Sequence, residues 1–206
     1  MRIETEADVA RGAEWLAAAE PRFARALEVT GPLPLRRRGD GYPALLNAIV
    51  SQQVSVAAAR AILARCEAAG LHEPETALRL EDEAMRACGL SRQKVRYLRA
   101  LAEAGIDFDA LRDAPTEEVV ATLVEVPGIG RWTAEIYAMF SLGHADVFAP
   151  NDLALQESAR ILFELPDRPK ERALREMAEA WSPWRAVAAR LLWSYYRVAK
   201  EREGIA

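Results

Sequence analysis

Residues 126–137 read VPGIGRWTAEIY, a tight glycine turn followed by a helical run. Glycine admits positive φ and close backbone approach. The amides that open the following helix have no partner within it. Such a turn can hold a phosphate oxygen without reading sequence. A plain helix–helix connection with a glycine cap accounts for the same letters. Pro127, and Ile129 between Gly128 and Gly130, narrow the choice, because an apolar side chain there tucks between the two helices and fixes their angle. Downstream, Asn151 and Asp152 precede LALQESARILF. Both residue types favour a helix N-cap, and by residue type alone capping is the simpler role. A capping carboxylate can also face a ligand. In the last helix Trp184, Val187, Ala188, Leu191, Leu192, Tyr195 and Val198 form one apolar stripe. Trp193 lies nearly opposite that stripe. It belongs either to a helix buried on two sides or to the lining of a cleft. His72 and His144 are the only histidines, and both fall in loop-like segments. Lys94, Lys170 and Lys200 are the only lysines, and none is expected near the glycine turn.

Helical elements must position these residues. Punctuation by Gly, Pro and capping residues recurs along the chain. It predicts helices over 8–19 and 21–29, a loop over 31–41, and a helix from Tyr42 whose apolar stripe is Tyr42, Leu45, Leu46, Ile49 and Val50. Gln53 continues that phase, yet it is polar, which is also what the plain end of that helix would give. Further helices are expected over about 55–69, in HEPETALRL and in EDEAMRACG. Ser91 is a candidate cap for a helix to about 104, and Thr116 for one to about 125. A helix follows the glycine turn to Gly143, HADVFAPN is a loop, Asp152 opens a helix to about 163, and 169–181 forms another. Ser182 and Pro183 read as the N-cap and first residue of the last helix. No segment reads as a strand. The fold class is all-α, with roughly ten to twelve helices.

Composition bounds the function. The chain has 206 residues and half of them are apolar, enough for one domain or two small lobes. No apolar run reaches the roughly 18–20 residues needed to span a bilayer, and MRIETEADVA has no apolar signal segment. The only cysteines, Cys66 and Cys88, make no ligand-spaced set. A reducing cytoplasm, no membrane and no side-chain metal site are expected. The net charge of −4 counts against a general polyanion binder. The charge is uneven, however. Residues 31–65 hold five arginines against one acid, and 66–90 hold six acids against two arginines. A basic patch inside an acidic protein is compatible with this.

Four stretches together resemble a known family. VPGIGRWTA resembles the helix-hairpin-helix of the DNA glycosylase superfamily. AIVSQQVSVAAA (48–59) is similar to that family's segment that enters the DNA. GLSRQKVRYL (89–98) is similar to its next signature, and DVFAPNDLALQ (146–156) to the segment that leads to its catalytic aspartate. Their order over roughly 40–200 is more specific than any one motif. The branch resembled is the DNA-3-methyladenine glycosylase II type, in a compact form without the N-terminal β-rich domain of longer members.

The resemblance implies two helical lobes with an active-site cleft between them, one about 40–150 and the other about 1–39 plus 151–206. It places the catalytic carboxylate at Asp152, twenty residues after Trp132. Cleavage of an N-glycosidic bond builds positive charge on the deoxyribose, and a fixed anion stabilises that charge and can position or deprotonate the attacking water. Trp132 and Trp193 would border the base pocket, where electron-rich rings favour a cationic alkylated base by about 0.5–2 kcal/mol. Val126, Gly128, Gly130 and Arg131 would grip the DNA backbone. Gln53, with Gln52 beside it, matches the wedge that fills the gap left by a flipped nucleotide. Some alkylation-repair relatives carry leucine there. Arg92, Arg96 and Arg99 share one helix face that either meets phosphates or is simply solvated. Relatives with lyase activity carry a lysine where this chain has Trp132, so the resemblance implies a monofunctional enzyme that uses water and leaves an abasic site. No cofactor is implied, apart from room for a monovalent cation on hairpin backbone carbonyls. The expected partner is double-stranded DNA containing damaged bases, bound by a monomer in the cytoplasm and, in a bacterium, at the nucleoid. Two alternatives stay open: a non-catalytic helix-hairpin-helix DNA-binding module, and a glycosylase for uracil, hypoxanthine or mismatched thymine.

Overall fold

A computed structural model describes residues 1–202. It contains thirteen α-helices, one π turn and one 3₁₀ turn. Among the described residues there is no strand, only an isolated bridge between Arg2 and His144. The chain forms two compact units, Met1–Arg37 with Ala138–Ala206, and Arg38–Tyr137. The change-over falls between Tyr137 and Ala138, where the sequence reading puts it near residue 150.

The unit Arg38–Tyr137 holds α3 (Gly41–Ser51), α4 (Val56–Ala68), α5 (Pro74–Arg79), α6 (Asp82–Ala87), α7 (Arg92–Glu103), α8 (Phe108–Asp113), α9 (Thr116–Val124) and α10 (Arg131–Tyr137). Helix α7 is its spine and packs on α3 and α5. Val95, Leu98 and Leu101 recur at helical spacing and are buried. Ser91 caps α7 as expected, its Oγ accepting from Lys94 N at 3.2 Å. Helix α3 starts on the hydroxyl of Tyr137, which accepts from Gly41 N at 2.8 Å. This satisfies one orphan amide of that helix end, and burial pushes the phenol up to about 12.

The other unit holds α1 (Glu6–Ala19), α2 (Pro21–Thr30), the π turn Ala138–Leu142, α11 (Leu153–Leu162), α12 (Glu171–Ala178), the 3₁₀ turn Glu179–Trp181 and α13 (Arg185–Arg202). Helix α13 is its centre, packed by α11, α2 and α1. Ala186 through Leu192 are all buried. Helix α1 can approach because Gly12 has no side chain: a Cβ there would lie 2.6 Å from the Trp184 ring. Phe23, Phe148, Phe163 and Trp181 form an aromatic cluster with centroids 5.3–5.8 Å apart.

Three expectations are corrected. Thr116 is not a cap: it is the first helical residue after Pro115, and no side chain caps that helix. The last helix begins at Arg185, not at Pro183, and the Ser182 hydroxyl donates to Asp146 Oδ2 instead of capping it. Helix α8 was not expected at all. Asp107 nucleates it by accepting from Ala110 N at 2.9 Å, a capping signal that the stretch DFDALRD does contain.

Candidate active site

The hairpin lies within the Arg38–Tyr137 unit. Helix α9 ends at Val124 and α10 begins at Arg131, so the turn is EVPGIG, with Glu125 as the C-cap of α9. Ile129 is buried, as its apolar character predicts, and Val126 is buried too. Val126 therefore offers only its backbone to a ligand. The two glycines differ. Gly128 has φ of +93°, and a Cβ on it would strike the Tyr97 ring at 2.4 Å, so the fold itself demands glycine. Gly130 has no such φ, and a Cβ on it would meet nothing within 4 Å. Nothing in the protein requires glycine at 130, and its bare surface stays open to a close-approaching ligand backbone.

Around the turn is a cleft of about 610 Å³, lined among others by Gln52, Gln53, Lys94, Tyr97, Gly128 and Gly130. The expectation that no lysine is near the hairpin is corrected here, because α7 brings Lys94 into the same cleft from a distant point in the sequence. Its Nζ donates to Val50 O at 2.7 Å and to Gln52 O at 2.8 Å, and burial lowers its pKa. Gln52 is also tied down, its Nε2 donating to Gly128 O at 2.9 Å. Gln53 does not continue the helical phase. Helix α3 stops at Ser51, and Gln53 stands exposed in the left-handed region with φ of 56°. Of the two wedge candidates, Gln53 is the exposed one and Gln52 is bonded to the hairpin.

The three arginines of α7, open between phosphate contact and a solvated face, separate as well. Arg99 is consumed internally, donating to Asp82, Ala77 O and Leu80 O. Arg92 and Arg96 are exposed. The Arg131 guanidinium pairs with the buried Glu135 at 3.0 Å and reaches Glu117 at 3.6 Å. Trp132 is 42% exposed, unusual for so large a ring.

Asp152 lies in the other unit. It is the N-cap of α11, as its residue type predicts: Oδ1 accepts from Ala154 N at 2.9 Å and Leu155 N at 3.0 Å. A third donor reaches the same oxygen, Nε1 of Trp193 at 3.2 Å. Trp193 is half-buried and packs on Phe140, with centroids 5.7 Å apart and planes tilted by 32°. Phe140 sits in the π turn, an irregularity that often re-aims side chains at functional sites. Arg190 lies over the Phe140 ring, 4.7 Å from its centroid. It is 1% exposed and donates to Leu35 O and Ala186 O. Burial, then Arg36 and Arg37, push it down to about 10. Sequence reasoning placed Trp193 beside the base and missed its bond to the carboxylate, because their 41-residue separation hides it. The one signal for Arg190 was a cation at the heart of an apolar helix.

His72 belongs to the Arg38–Tyr137 unit, where its Nε2 lies 3.6 Å from the Glu73 carboxylate. His144 is buried behind Arg2, and burial, then Arg2, the N-terminus and Arg37, lower its pKa. Asp146 is opposed by burial, but Arg185 and Ser182 outweigh it and hold the carboxyl below its usual range.

The chain is similar to known proteins along most of its length. DNA-3-methyladenine glycosylase 1 of Schizosaccharomyces pombe is 34% identical over 167 residues, 77% of this chain and 73% of that protein. The solved DNA-3-methyladenine glycosidase of Bacillus halodurans superposes with a TM-score of 0.84 at 32% identity, covering 98% of this chain and 94% of that one. The S. pombe 3-methyladenine DNA glycosylase in complex with abasic DNA superposes with a TM-score of 0.76 at 31% identity, covering 89% and 95%. The family description "HhH-GPD superfamily base excision DNA repair protein" matches residues 46–183, most of both the hairpin unit and the Asp152 segment. The chain belongs to the HhH-GPD superfamily of base excision DNA repair proteins.

Proposed function

We propose that this protein is a monofunctional DNA glycosylase that removes alkylated bases of the 3-methyladenine type from double-stranded DNA and leaves an abasic site. The observation that carries this reading is Asp152, whose carboxylate is held by three converging donors in a chain similar to 3-methyladenine glycosylases. Alkylation at a ring nitrogen makes the base cationic. When the bond from C1′ to the base nitrogen breaks, its electron pair goes to the base, which leaves neutral and needs little acid help. Positive charge builds at the sugar, and Asp152 opposes it electrostatically. Water adds its oxygen to C1′, and its proton passes to the carboxylate or to solvent. Because the donors are already in place, the carboxylate need not reorganise as charge develops.

The remaining roles follow in the same reading. The backbone of Val126, Gly128, Gly130 and Arg131 grips phosphate, Gln53 fills the gap in the duplex, and the rings of Trp132 and Trp193 meet the base. The carbonyls of Val126 and Gly128 each accept one hydrogen bond, from Ile129 N and Gln52 Nε2. Each keeps a second lone pair for a monovalent cation. Lys94 is no Schiff-base nucleophile in this reading, since its amine donates to two backbone carbonyls. No helix among the described residues is long and apolar enough to cross a membrane, and a monomer acting on DNA in the cytoplasm, at the nucleoid in a bacterium, fits the reading.

The test is a duplex carrying 3-methyladenine or 7-methylguanine, scored for free base. Release of base with strand breaks only after added alkali is expected, and borohydride should trap no protein–DNA adduct. Binding to duplex without base release from any of a panel including uracil and hypoxanthine would favour a non-catalytic module.

A further inference from the structure

The turn that carries Gln53 is held from both sides. Helix α3 ends at Ser51, so the carbonyls of its last turn lack partners within it. Lys94 supplies them, donating to Val50 O and Gln52 O at 2.7 and 2.8 Å. A cation is favoured at that end of a helix. Lys94 is itself well anchored, since its backbone amide donates to the Ser91 cap of α7. On the other side of the same residue, the Gln52 side chain donates to Gly128 O at 2.9 Å. Beyond the turn, α4 starts on its own cap, Ser55, which accepts from Ala58 N. Gln53 projects from this held turn, exposed, with φ of 56°. A non-glycine residue avoids that region unless its surroundings over-determine it. A loop with free ends would relax out of it.

We propose that Lys94 is a positioning residue for strand invasion. Through the Val50 and Gln52 carbonyls it locks the turn after α3 and forces Gln53 outward as the wedge. Gln52 sets that wedge in register with the phosphate-gripping turn at Gly128. This rests on the glycosylase reading above for the role of Gln53, but the conformational part stands on the protein alone. Burial of the ammonium supports it, because an amine with no structural duty would stay in water.

Two measurements test the proposal. The first needs no DNA: in a crystal structure of Lys94→Met, Gln53 should leave the left-handed region or become disordered. Gln53 unchanged there overturns the proposal, whether or not any lesion is processed. The second uses a duplex with 7-methylguanine next to 2-aminopurine, whose fluorescence rises on unstacking. Lys94→Met and Gln53→Ala should each reduce the fluorescence rise and the single-turnover release of base by about tenfold. The double variant should fall no further than Gln53→Ala, because coupled residues are not additive. Multiplying effects, or a Lys94→Met variant as active as the parent, would overturn it. If Lys94→Met does not fold, Lys94→Arg keeps the test open, since its guanidinium still donates to both carbonyls and should preserve flipping. Gln53→Gly should raise the melting temperature while lowering base release, because glycine adopts that φ without strain. A lower melting temperature counts against stored strain in the turn.

Discussion

The hairpin and the Asp152 site solve opposite problems, and each can be understood within its own unit. The hairpin offers backbone. Its apolar side chains turn inward, Gly128 is imposed by the fold, and Gly130 is left bare without any internal need. Backbone amides and an uncovered surface suit a ligand part that is the same at every nucleotide, the phosphate. The Asp152 site offers one side chain in one orientation, with two amides and an indole on the same oxygen. That suits a charge that develops at one atom and for an instant. In the proposed reading, grip without sequence information and chemistry with fixed geometry are separated in the chain by about twenty residues, and they fall in different units.

The sharpest way to break this comparison is at Asp152. Asp152→Asn keeps a good N-cap, so melting and duplex binding should stay as in the parent. Base release should fall on the order of 100-fold or more, as when one electrostatic stabiliser of a transition state is lost. Single-turnover release with 7-methylguanine duplex, beside a thermal melt, reads both. A loss of binding equal to the loss of release would show that the two regions are not separable in this way.

Next comes Trp193→Phe, which keeps a ring against Phe140 and removes only the N–H donor. One hydrogen bond to a charged group is worth about 1.5–3 kcal/mol, so kcat should drop roughly ten- to hundredfold with KM little changed. A rise in KM alone would assign Trp193 to holding the base instead of the carboxylate.

The glycine pair gives a smaller and more selective effect. Gly128→Ala forces a Cβ into Tyr97 in a left-handed conformation that costs about 1–2 kcal/mol for an L-residue before any clash. Denaturant unfolding should show at least that loss. Gly130→Ala should change stability by no more than about 0.5 kcal/mol, yet weaken duplex binding in a titration. Equal stability losses at both positions would erase the distinction.

The smallest effect is expected at His144. Its folded pKa is lowered, so the native state prefers the neutral ring. Stability from this group is fully present above the ordinary imidazole pKa and is lost as pH falls below it, while the unfolded chain takes up the proton first. Melts at pH 7.5 and 5.5 should show a pH sensitivity that His144→Gln reduces. An unchanged slope in that variant would move the sensitivity elsewhere.

Much of this was legible in the letters. Thirteen α-helices stand among the described residues where roughly ten to twelve were read, because caps and apolar periodicity are local signals. Ser91 and Asp152 cap as their types demand, and Ile129 tucks into the hairpin. The misses have local causes too. Thr116 is already the first helical residue, with Pro115 in the cap position before it, and Ser182 found a carboxylate partner at Asp146. Gln53 seemed to continue a helix, since periodicity alone cannot tell a last turn from a left-handed exit. Arg99 was open between a phosphate contact and a solvated face, and it is neither, because the carbonyls of Ala77, Leu78 and Leu80 take its guanidinium.

The sequence by itself determined the helices, the glycine turn, the capping role of Asp152 and, through four ordered motifs, the family. These depend on neighbours within a few residues, or on patterns that need no coordinates. Only the tertiary structure decided that Trp193 donates to Asp152, that Lys94 reaches the hairpin cleft, that Gln52 is bound while Gln53 projects, and that Gly128 and Gly130 are glycines for different reasons. Each of those depends on a partner between 41 and 76 residues away or on the space around a missing side chain, with Lys94 meeting Gln52 across 42 residues and Gln52 meeting Gly128 across 76. A linear pattern holds no such distances, because packing sets them only after the helices have found their neighbours.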